Sequence, residues 1–505
     1  DADDGASKNM KQVGWNALQA RSTYQPTLHK YADGRYFIFA GHHTYGAPGE
    51  GSPAAATLPP LPKVDGEENG TSIVDVTNPR RPVYVKHIPV SNGSGGGAQM
   101  VRVCDGNALP VHDGKVYMLR SYASSAHEVW DVTNPAAPVG VLTVAGGNAL
   151  MSGLAGTHKS WWECDTGIAY VVGRRGNDTA SGWKGGNHIF IWNLANPASP
   201  QYIREWAFDG QQPGGSTPPH FTSVPTIHGP VSTGPAGGAI ATTGATAERV
   251  YFAYGTGSNG VMQIVDRQKL LPPPWGTSGV SCGSAASSQL PSPCTDYKSA
   301  EIGRWIMNPD NGAHTNWPLG KLRIQDFETA PANPNLGTPR DMVFVTSEAT
   351  ANWCAGQVRH LSFLVDANEE QKPQSIATYQ VPASSGDFCN RGGRFGPHAT
   401  NEEFGAPFYQ KLVFTSQFNA GVRATDVRDP YNPKEVAFFI PAVNANTDVR
   451  CGPHFGVVQC AQVVQTNNVA TDDRGYIYIV DRADSGLHIL RLTGKAAEIA
   501  GLSDD

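Results

Sequence analysis

Four histidines stand in comparable places in this sequence, each at the start of an apolar segment. They occur in the short sequences Gly-Thr-His158, Thr-Ile-His228, Gly-Ala-His314 and Gly-Pro-His398. Neutral imidazole nitrogens are good ligands for copper, iron, zinc and nickel. If folding brings residues so far apart in the chain around one point, they would form a metal site.

A repeated strand pattern gives a reason to expect that convergence. Apolar strands end in Asp-Val and are followed by Asn-Pro-x-x-Pro, and the clearest copies begin at Thr71, Glu128, Ile189 and Ala424. Runs of β-branched residues form strands, and Asx-Pro and Pro-x-x-Pro end them in turns. A four-stranded unit cannot bury both faces alone, whereas units stacked radially can. The sequence therefore predicts an all-β fold, a seven-bladed β-propeller that forms a single domain over 1–505.

Seven innermost strands follow from the repeat. They are predicted near 26–31, 107–111 and 158–164, at His228, His314 and His398, and over 467–470. The last blade lacks an outer strand, and Gly14-Trp15-Asn16-Ala17 is predicted to supply it. Long insertions rich in Gly, Pro and Ser are predicted to lie as loops over one face, at 44–70, 205–227, 272–313, 383–397 and 441–465.

The innermost strand of a propeller blade begins at the mouth of the central channel. His158, His228, His314 and His398 would therefore meet there from four successive blades. The alternative is that each is a structural residue bonded to a neighbouring blade. The strand starts of the first, second and seventh blades carry no such histidine, so the residue is not simply part of the repeat.

The second strand of each blade ends at the same face, and this adds further candidates. In the first blade that end reads Phe-Ala-Gly-His42-His43, and in a later blade it carries Glu348. His454 lies within an inserted loop and has the same Gly-Pro-His sequence as His398. The predicted metal ligands are His42, His43, His158, His228, His314, His398 and His454.

Composition excludes several classes of protein. The 57 glycines and 38 prolines, with only 16% charged residues, are typical of a turn-rich β protein and not of a helical bundle. A net charge of −6 gives no basic surface, so nucleic acid is not an expected partner. No run of 18 apolar residues occurs, so no membrane span is predicted.

The eight cysteines indicate an oxidising compartment. None forms a Cys-x-x-Cys pair, which disfavours a zinc ribbon or a redox motif. Two local disulfides are predicted, Cys282–Cys294 and Cys451–Cys460, and Cys104, Cys164, Cys354 and Cys389 would supply two more whose connectivity the sequence leaves open. The alternative is eight buried free thiols in a cytosolic protein. Because the chain begins with Asp and no initiator Met, it reads as a mature chain after removal of a signal peptide, hence periplasmic or secreted.

The Asp-Val-Thr-Asn-Pro-x-x-Pro copies resemble the LVIVD-repeat family of bacterial extracellular propellers. That resemblance implies the propeller fold and an extracellular or periplasmic location, and says little about activity. The histidine set is similar to those of nitrous oxide reductase and thiocyanate dehydrogenase, propellers that bind multinuclear copper. The His42-His43 pair matches a His-His pair in the first propeller blade of the reductase, but the cysteine-rich copper domain of that enzyme is absent. Carotenoid-cleaving oxygenases, which hold one iron with four histidines, are compatible with the spacing.

These observations favour a periplasmic copper-dependent oxidoreductase that acts on a small molecule or anion, with an unidentified redox partner. Glu348 would be a general base or would orient a ligand imidazole, and Lys159 would attract an anionic substrate. One alternative is a non-catalytic secreted propeller that binds a protein or a glycan through its loops. Another is a mononuclear iron oxygenase that uses the four histidines.

Overall fold

A computed structural model describes most of the chain. The described residues are 5–43, 69–90, 96–146, 149–151, 153–175, 183–184, 186–213, 215–219, 221, 223–235, 248–255, 259–277, 299–323 and 338–503. Two compact units make up the chain. The first comprises Asp1–Gln99, Leu319–Asp366 and Ser375–Asp505, and the second comprises Met100–Pro318 and Ala367–Gln374.

Seven sheets of four or five strands dominate the fold. Two N-terminal strands, β1 (Ala6–Lys8) and β2 (Met10–Asn16), join sheets whose other strands come late in the chain. The first sheet contains β3 (Thr23–Lys30), β4 (Tyr36–His42), β5 (Gly70–Asp75) and β6 (Val83–Pro89). The second contains β7 (Val101–Asp105), β8 (Val116–Tyr122), β9 (Ala126–Asp131) and β10 (Val139–Leu142).

The third and fourth sheets continue this order. The third contains β11 (Leu154–Ala155), β12 (Ser160–Trp162), β13 (Ile168–Arg175), β14 (His188–Asn193) and β15 (Gln201–Trp206), with β11 and β12 both paired to β13. The fourth contains β16 (Ile227–Ser232), β17 (Arg249–Tyr254), β18 (Val261–Asp266) and β19 (Glu301–Ile306).

The last three sheets complete the set. The fifth contains β20 (Ala313–Leu322), β21 (Arg340–Ser347), β22 (Ser362–Asp366) and β23 (Gln374–Tyr379). The sixth contains β24 (Leu412–Ser416), β25 (Val422–Asp426), β26 (Lys434–Ile440) and β1. A separate hairpin, β27 (Val449–His454) and β28 (Val457–Gln462), precedes the seventh sheet of β29 (Thr466–Thr471), β30 (Tyr476–Asp481), β31 (Leu487–Leu492) and β2.

The fold is the predicted all-β, seven-bladed propeller, and each sheet is one blade. The prediction for the N-terminal segment is also confirmed, because β2 lies along β31 with Trp15 opposite His488 and supplies the missing outer strand. The helices among the described residues are short: Arg267–Leu270 and Gly494–Ala500, with 3-10 turns at Val144–Gly146 and Ala383–Ser385. None of the described helices has the length and apolarity that crossing a bilayer requires.

The predicted inner strand at 107–111 is wrong. The strand is β7, which ends at Asp105, and a turn follows in which the Asp105 carboxylate accepts the backbone N–H of Asn107 at 2.8 Å. The backbone carbonyl of Asp105 accepts the N–H groups of Ala108 and Leu109 at 2.9 and 3.0 Å. An aspartate whose side chain bonds the backbone two residues later favours a turn over a continued strand.

Blades are held together by apolar residues from facing sheets. In one buried cluster, Leu119 and Val129 of the second sheet pack with Trp162 and Phe190 of the third. Continuous apolar runs such as those of β13 and β14 form strands that are buried on both faces, as stacked blades require. The packing of neighbouring sheets fixes where their inner strands begin.

Three disulfides are present in the described part of the chain: Cys104–Cys164, Cys354–Cys389 and Cys451–Cys460. The predicted local pair at Cys451 and Cys460 is confirmed, and it links the two strands of the hairpin. The predicted pair Cys282–Cys294 lies outside the described residues, as do most of the insertion 44–70 and half of the insertion 272–313. The insertion 441–465 contains the hairpin.

A buried histidine in the last blade makes stability depend on pH. The ring nitrogens of His488 bond Gln12 Oε1 of β2 at 2.9 Å and Ser485 Oγ at 3.1 Å. Burial lowers the pKa of His488 from 6.5 to about 3. The unfolded chain therefore binds a proton below pH ~6.5 that the folded chain does not. The stability that the neutral ring contributes is full above that pH and is lost as the pH falls towards 3.

We expect the change His488→Gln to remove this dependence. Between pH 7 and pH 5 the wild-type chain should lose about 2 kcal/mol of unfolding free energy relative to the variant. Urea unfolding of both proteins at several pH values measures the difference. A constant difference across this range would show that His488 does not stay neutral in the folded chain.

Candidate metal centre

Three imidazoles from three consecutive blades converge in the second unit. His158 precedes β12, while His228 and His314 are the second residues of β16 and β20. The Nε2 atoms of His158 and His228 lie 3.0 Å apart. The ring centroids of His228 and His314 lie 3.8 Å apart, and their ligand nitrogens lie within 4.8 Å of each other. The strand starts singled out in the sequence thus place three of the four predicted histidines together.

A β-bulge directs the central histidine. The register of β16 against β17 shifts between Ile227 and Gly229, so His228 is the extra residue of the bulge. Bulges re-aim a side chain and recur next to functional sites. A Cβ atom at Gly229 would lie 3.1 Å from the Lys159 side chain and 3.2 Å from the backbone oxygen of His314. Glycine at this position therefore lets the neighbouring inner strands approach closely.

The distance between the two Nε2 atoms suits a shared ion. Imidazole nitrogens bind metals at about 2.0–2.1 Å, so two ligands at angles of about 90–110° are separated by about 2.9–3.4 Å. Two neutral imidazoles that present lone pairs to each other would repel, so a proton or a cation must lie between His158 and His228. A shared proton would bond only His158 and His228. A metal ion could also be bound by the third ring, His314.

The surroundings of His314 fix its orientation. The ring is fully buried, and its Nδ1 lies 2.9 Å from the hydroxyl of Thr315. A hydrogen-bond partner on one ring nitrogen fixes the orientation of the ring and directs the other nitrogen, as is usual for metal-binding histidines. His228 is 9% exposed, so the group lies just below the surface.

Lys159, which the sequence analysis expects to attract an anionic substrate, directly follows His158 in the same unit. Its side chain is 1% exposed, and Nζ donates to the Thr315 hydroxyl at 3.4 Å. Thr315 thus contacts both the ammonium group and the His314 ring. A lysine at this position could supply positive charge for an anion that approaches the imidazoles.

A second group of predicted residues lies in the first unit. His398 is buried, and its Nδ1 lies 2.7 Å from the backbone oxygen of Asn467, so Nδ1 carries the proton. The other ring nitrogen, Nε2, lies 3.6 Å from Glu348 Oε1. Arg394 donates to the same carboxylate oxygen at 3.2 Å. Glu348 thus lies near the His398 ring, beyond hydrogen-bond distance of Nε2, and is itself held by a guanidinium group.

His398 lies beside an isolated bridge instead of in a regular inner strand. Thr400 pairs with Thr415 of β24. On either side of this pair, one backbone N–H bonds a side chain instead of a backbone carbonyl. Ala399 N donates to the Ser416 hydroxyl at 3.1 Å, and Phe414 N donates to Asn401 Oδ1 at 3.0 Å. Such side-chain bonds compete with regular pairing. The predicted strand at this position is therefore present only as a bridge.

Tyr24 joins His43 to this second group. Its ring centroid lies 5.6 Å from that of His43 and 5.3 Å from that of His398, in edge-on contacts. Tyr24 is 1% exposed and is the bulged residue of β3, because the register shifts between Thr23 and Gln25. It thus occupies the place in its blade that His228 occupies in the fourth. In the sequence each of these two residues stands two positions before a proline, in Tyr24-Gln-Pro and His228-Gly-Pro, and this shared pattern is a signal that the histidines alone do not give.

Two predicted ligands have other surroundings. His42 bonds the Thr23 hydroxyl through Nδ1 at 3.0 Å and the Ser72 hydroxyl through Nε2 at 2.7 Å, so both ring nitrogens join neighbouring strands. We therefore leave His42 out of the ligand set. His454 ends β27, and its ring contacts those of Trp353 at 4.7 Å and Phe455 at 4.3 Å. Neither of these aromatic neighbours is a predicted metal ligand.

Comparison with known proteins does not assign this chain to a family. No protein-family model matches the chain, and no curated protein matches it. Among solved structures it is similar to the β-propeller domain of Cps50 (Swd1) from Myceliophteria thermophila, with 8% identity and a TM-score of 0.43 over 96% of this chain and 99% of that one. The resemblance to the LVIVD-repeat family thus remains a sequence observation, and the fold rests on the seven sheets themselves.

Proposed function

We propose that this chain binds copper through His158, His228 and His314 and acts as an oxidoreductase on a small molecule or anion. The observation that carries the proposal is the 3.0 Å approach of two Nε2 atoms with a third imidazole stacked beside them. These rings come from sequence positions far apart, and each stands at the start of its inner strand. Packing alone gives no reason for polar rings to converge in this way.

The donor set favours copper. Imidazole suits copper, iron, zinc and nickel, and at an N-donor site copper(II) has the highest affinity of the first-row divalent metals. Bound copper would supply one-electron redox chemistry. The site in the second unit offers three neutral nitrogen ligands and leaves further positions for a substrate.

The chain's own residues have separate roles in this proposal. Thr315 orients His314, and Lys159 attracts an anionic substrate and holds it near the imidazoles. In the first unit we propose that His43 and His398 hold a further ion, while Glu348 orients His398 or takes a proton from the substrate. His454 stays a predicted ligand without a described partner in either group.

The proposed location is the periplasm or the extracellular space. The three disulfides of the described residues are consistent with an oxidising compartment. Such a location also gives the protein access to small molecules and anions outside the cytoplasm.

A second function is favoured by one surface feature. The tip of the β27–β28 hairpin exposes three large apolar side chains: Phe455 is 89% exposed, Val457 57% and Val458 59%. Exposed apolar patches mark interaction sites in many proteins. A non-catalytic propeller that binds a protein or a glycan through this hairpin is therefore the second candidate.

Metal analysis and electron paramagnetic resonance of the protein from its native host test these functions together. We expect at least one copper per chain and a copper(II) signal split by nitrogen ligands. Iron with no copper would support the mononuclear oxygenase. Protein that is free of transition metals and stays so after incubation with copper(II) would contradict the redox proposal and favour the binding propeller.

A further inference from the structure

A small cavity in the first unit lies apart from the three histidines of the second unit. Its volume is about 210 Å³, which is below the 300–1,000 Å³ typical of pockets for drug-sized ligands. The cavity therefore suits a small molecule. Phe395 and Gly396 are among the residues that line it, and it opens to solvent near the exposed Val358.

One side of the cavity is apolar. Phe395 is 8% exposed, Val358 is 41% exposed at the opening, and the Cys354–Cys389 disulfide forms part of the wall. An aromatic ring, an aliphatic side chain and a disulfide together provide a surface for a flat apolar group. Phe395 is held in place by stacking on Phe388, with ring centroids 5.0 Å apart and an interplanar angle of 14°.

The side-chain amide of Gln417 is a polar group in the wall of the cavity. It follows β24 and is 2% exposed, and its side chain lines the cavity. Among the described residues, no hydrogen-bond partner is found for its side-chain amide, although its backbone N–H donates to Gly421 O at 2.7 Å. Because the side chain lines the cavity, its amide can donate to and accept from a molecule bound there.

Positive charge and donor groups lie at the opening. Gln357 Oε1 accepts the backbone N–H groups of Thr350 and Ala351 at 3.1 and 2.9 Å, which turns its NH₂ group towards other partners. Arg359 donates through Nη1 to Gln380 Oε1 at 3.2 Å, which leaves the other donors of its guanidinium group for a ligand. None of the described residues that line the cavity is acidic. The lining therefore favours an anion over a cation.

We propose that this cavity binds a small carboxylate with a flat apolar body. The apolar group packs between Phe395 and Val358, the carboxylate accepts from Arg359, and Gln417 bonds the ligand inside the cavity. Guanidinium groups pair with carboxylates through two parallel hydrogen bonds, which gives specificity for that group. The site does not depend on a bound metal.

Calorimetric titration of the full-length protein with benzoate tests the proposal. We expect benzoate to bind and the neutral analogue benzyl alcohol to bind at least tenfold more weakly. Arg359→Gln should weaken benzoate binding about 10- to 100-fold, because it removes a charge-assisted hydrogen bond. Val358→Glu, a change at a partly exposed position, should abolish binding by placing a carboxylate at the opening.

Two controls make the result specific. Arg80→Gln removes an exposed arginine of the same unit outside the cavity and should leave benzoate affinity unchanged. Protein treated with EDTA should bind benzoate as well as untreated protein does, which separates this site from the proposed copper centre. No binding of benzoate, equal binding of benzyl alcohol, equal binding by Arg359→Gln, or binding that requires metal would each overturn the proposal.

Discussion

Replacing His228 or His314 with alanine is expected to lower the affinity for copper more than 100-fold. Loss of an outer partner of a metal ligand typically lowers affinity 10- to 100-fold, and loss of a ligand itself should exceed that. His228 has the larger expected effect, since it contacts both other rings, at 3.0 Å between Nε2 atoms and 3.8 Å between centroids. Competition with a chelator of known copper affinity measures the change.

The fold should survive these changes. Both histidines stand at the starts of inner strands, and the blade cores lie along the strands beyond them. The matched control is His112→Ala, since His112 is exposed and lies in the turn after β7. We expect this control to bind copper like the wild type, and all three variants to keep the wild-type circular dichroism spectrum. If the His228 and His314 variants bind copper normally, the proposed ligand set is wrong.

The second large effect is expected at a buried ion pair between Arg267 and Glu163. Arg267 is 3% exposed and donates to Glu163 through Nε at 2.9 Å and Nη2 at 2.7 Å. Glu163 also accepts from the Ser232 hydroxyl at 2.6 Å. Glu163 directly follows β12 and Ser232 ends β16, so this network joins the ends of the two strands whose starts carry His158 and His228.

We expect Arg267→Met to reduce the unfolding free energy by about 3–5 kcal/mol. Removal of one partner leaves the Glu163 carboxylate buried without its counter-charge, and buried pairs broken in this way show losses of that size. Copper affinity should fall as well, because the spacing of β12 and β16 sets the distance between His158 and His228. Urea unfolding and chelator competition on the same samples measure both effects.

Two further variants test why Arg267→Met lowers the unfolding free energy. Lys269→Met changes an exposed basic residue on the same short helix and should alter stability by less than about 0.5 kcal/mol. The double variant Arg267→Met with Glu163→Gln removes both charges and should recover part of the stability. A double variant less stable than the single one would show that hydrogen bonding, and not the unpaired charge, dominates.

The blades could be predicted from the sequence because their turns have a distinctive chemistry. The Asp-Val and Asn-Pro-x-x-Pro copies end strands at regular places, and strands and turns occur there in the structure: Asp75 and Asp131 end β5 and β9. The inner strand of the second blade was misplaced because Asp105 begins a turn through its side chain. Apolar spacing alone does not reveal that bond.

The convergence of three histidines in the candidate site can be predicted for similar reasons. A histidine at the start of an inner strand can be recognised from the repeat, and His158, His228 and His314 were found in this way. The bulges at Tyr24 and His228 could not be predicted, since they depend on the register of two strands. The role of His42 also depends on register: it stands opposite Thr23 and Gly70, and its ring bonds two hydroxyls across the sheet.

Anomalous diffraction from crystals of copper-loaded protein, collected above and below the copper edge, tests the central claim most directly. We expect a copper peak about 2.0–2.1 Å from the Nε2 atoms of both His158 and His228, with His314 completing the set. A map of copper-loaded crystals with no copper peak among these three rings would contradict it.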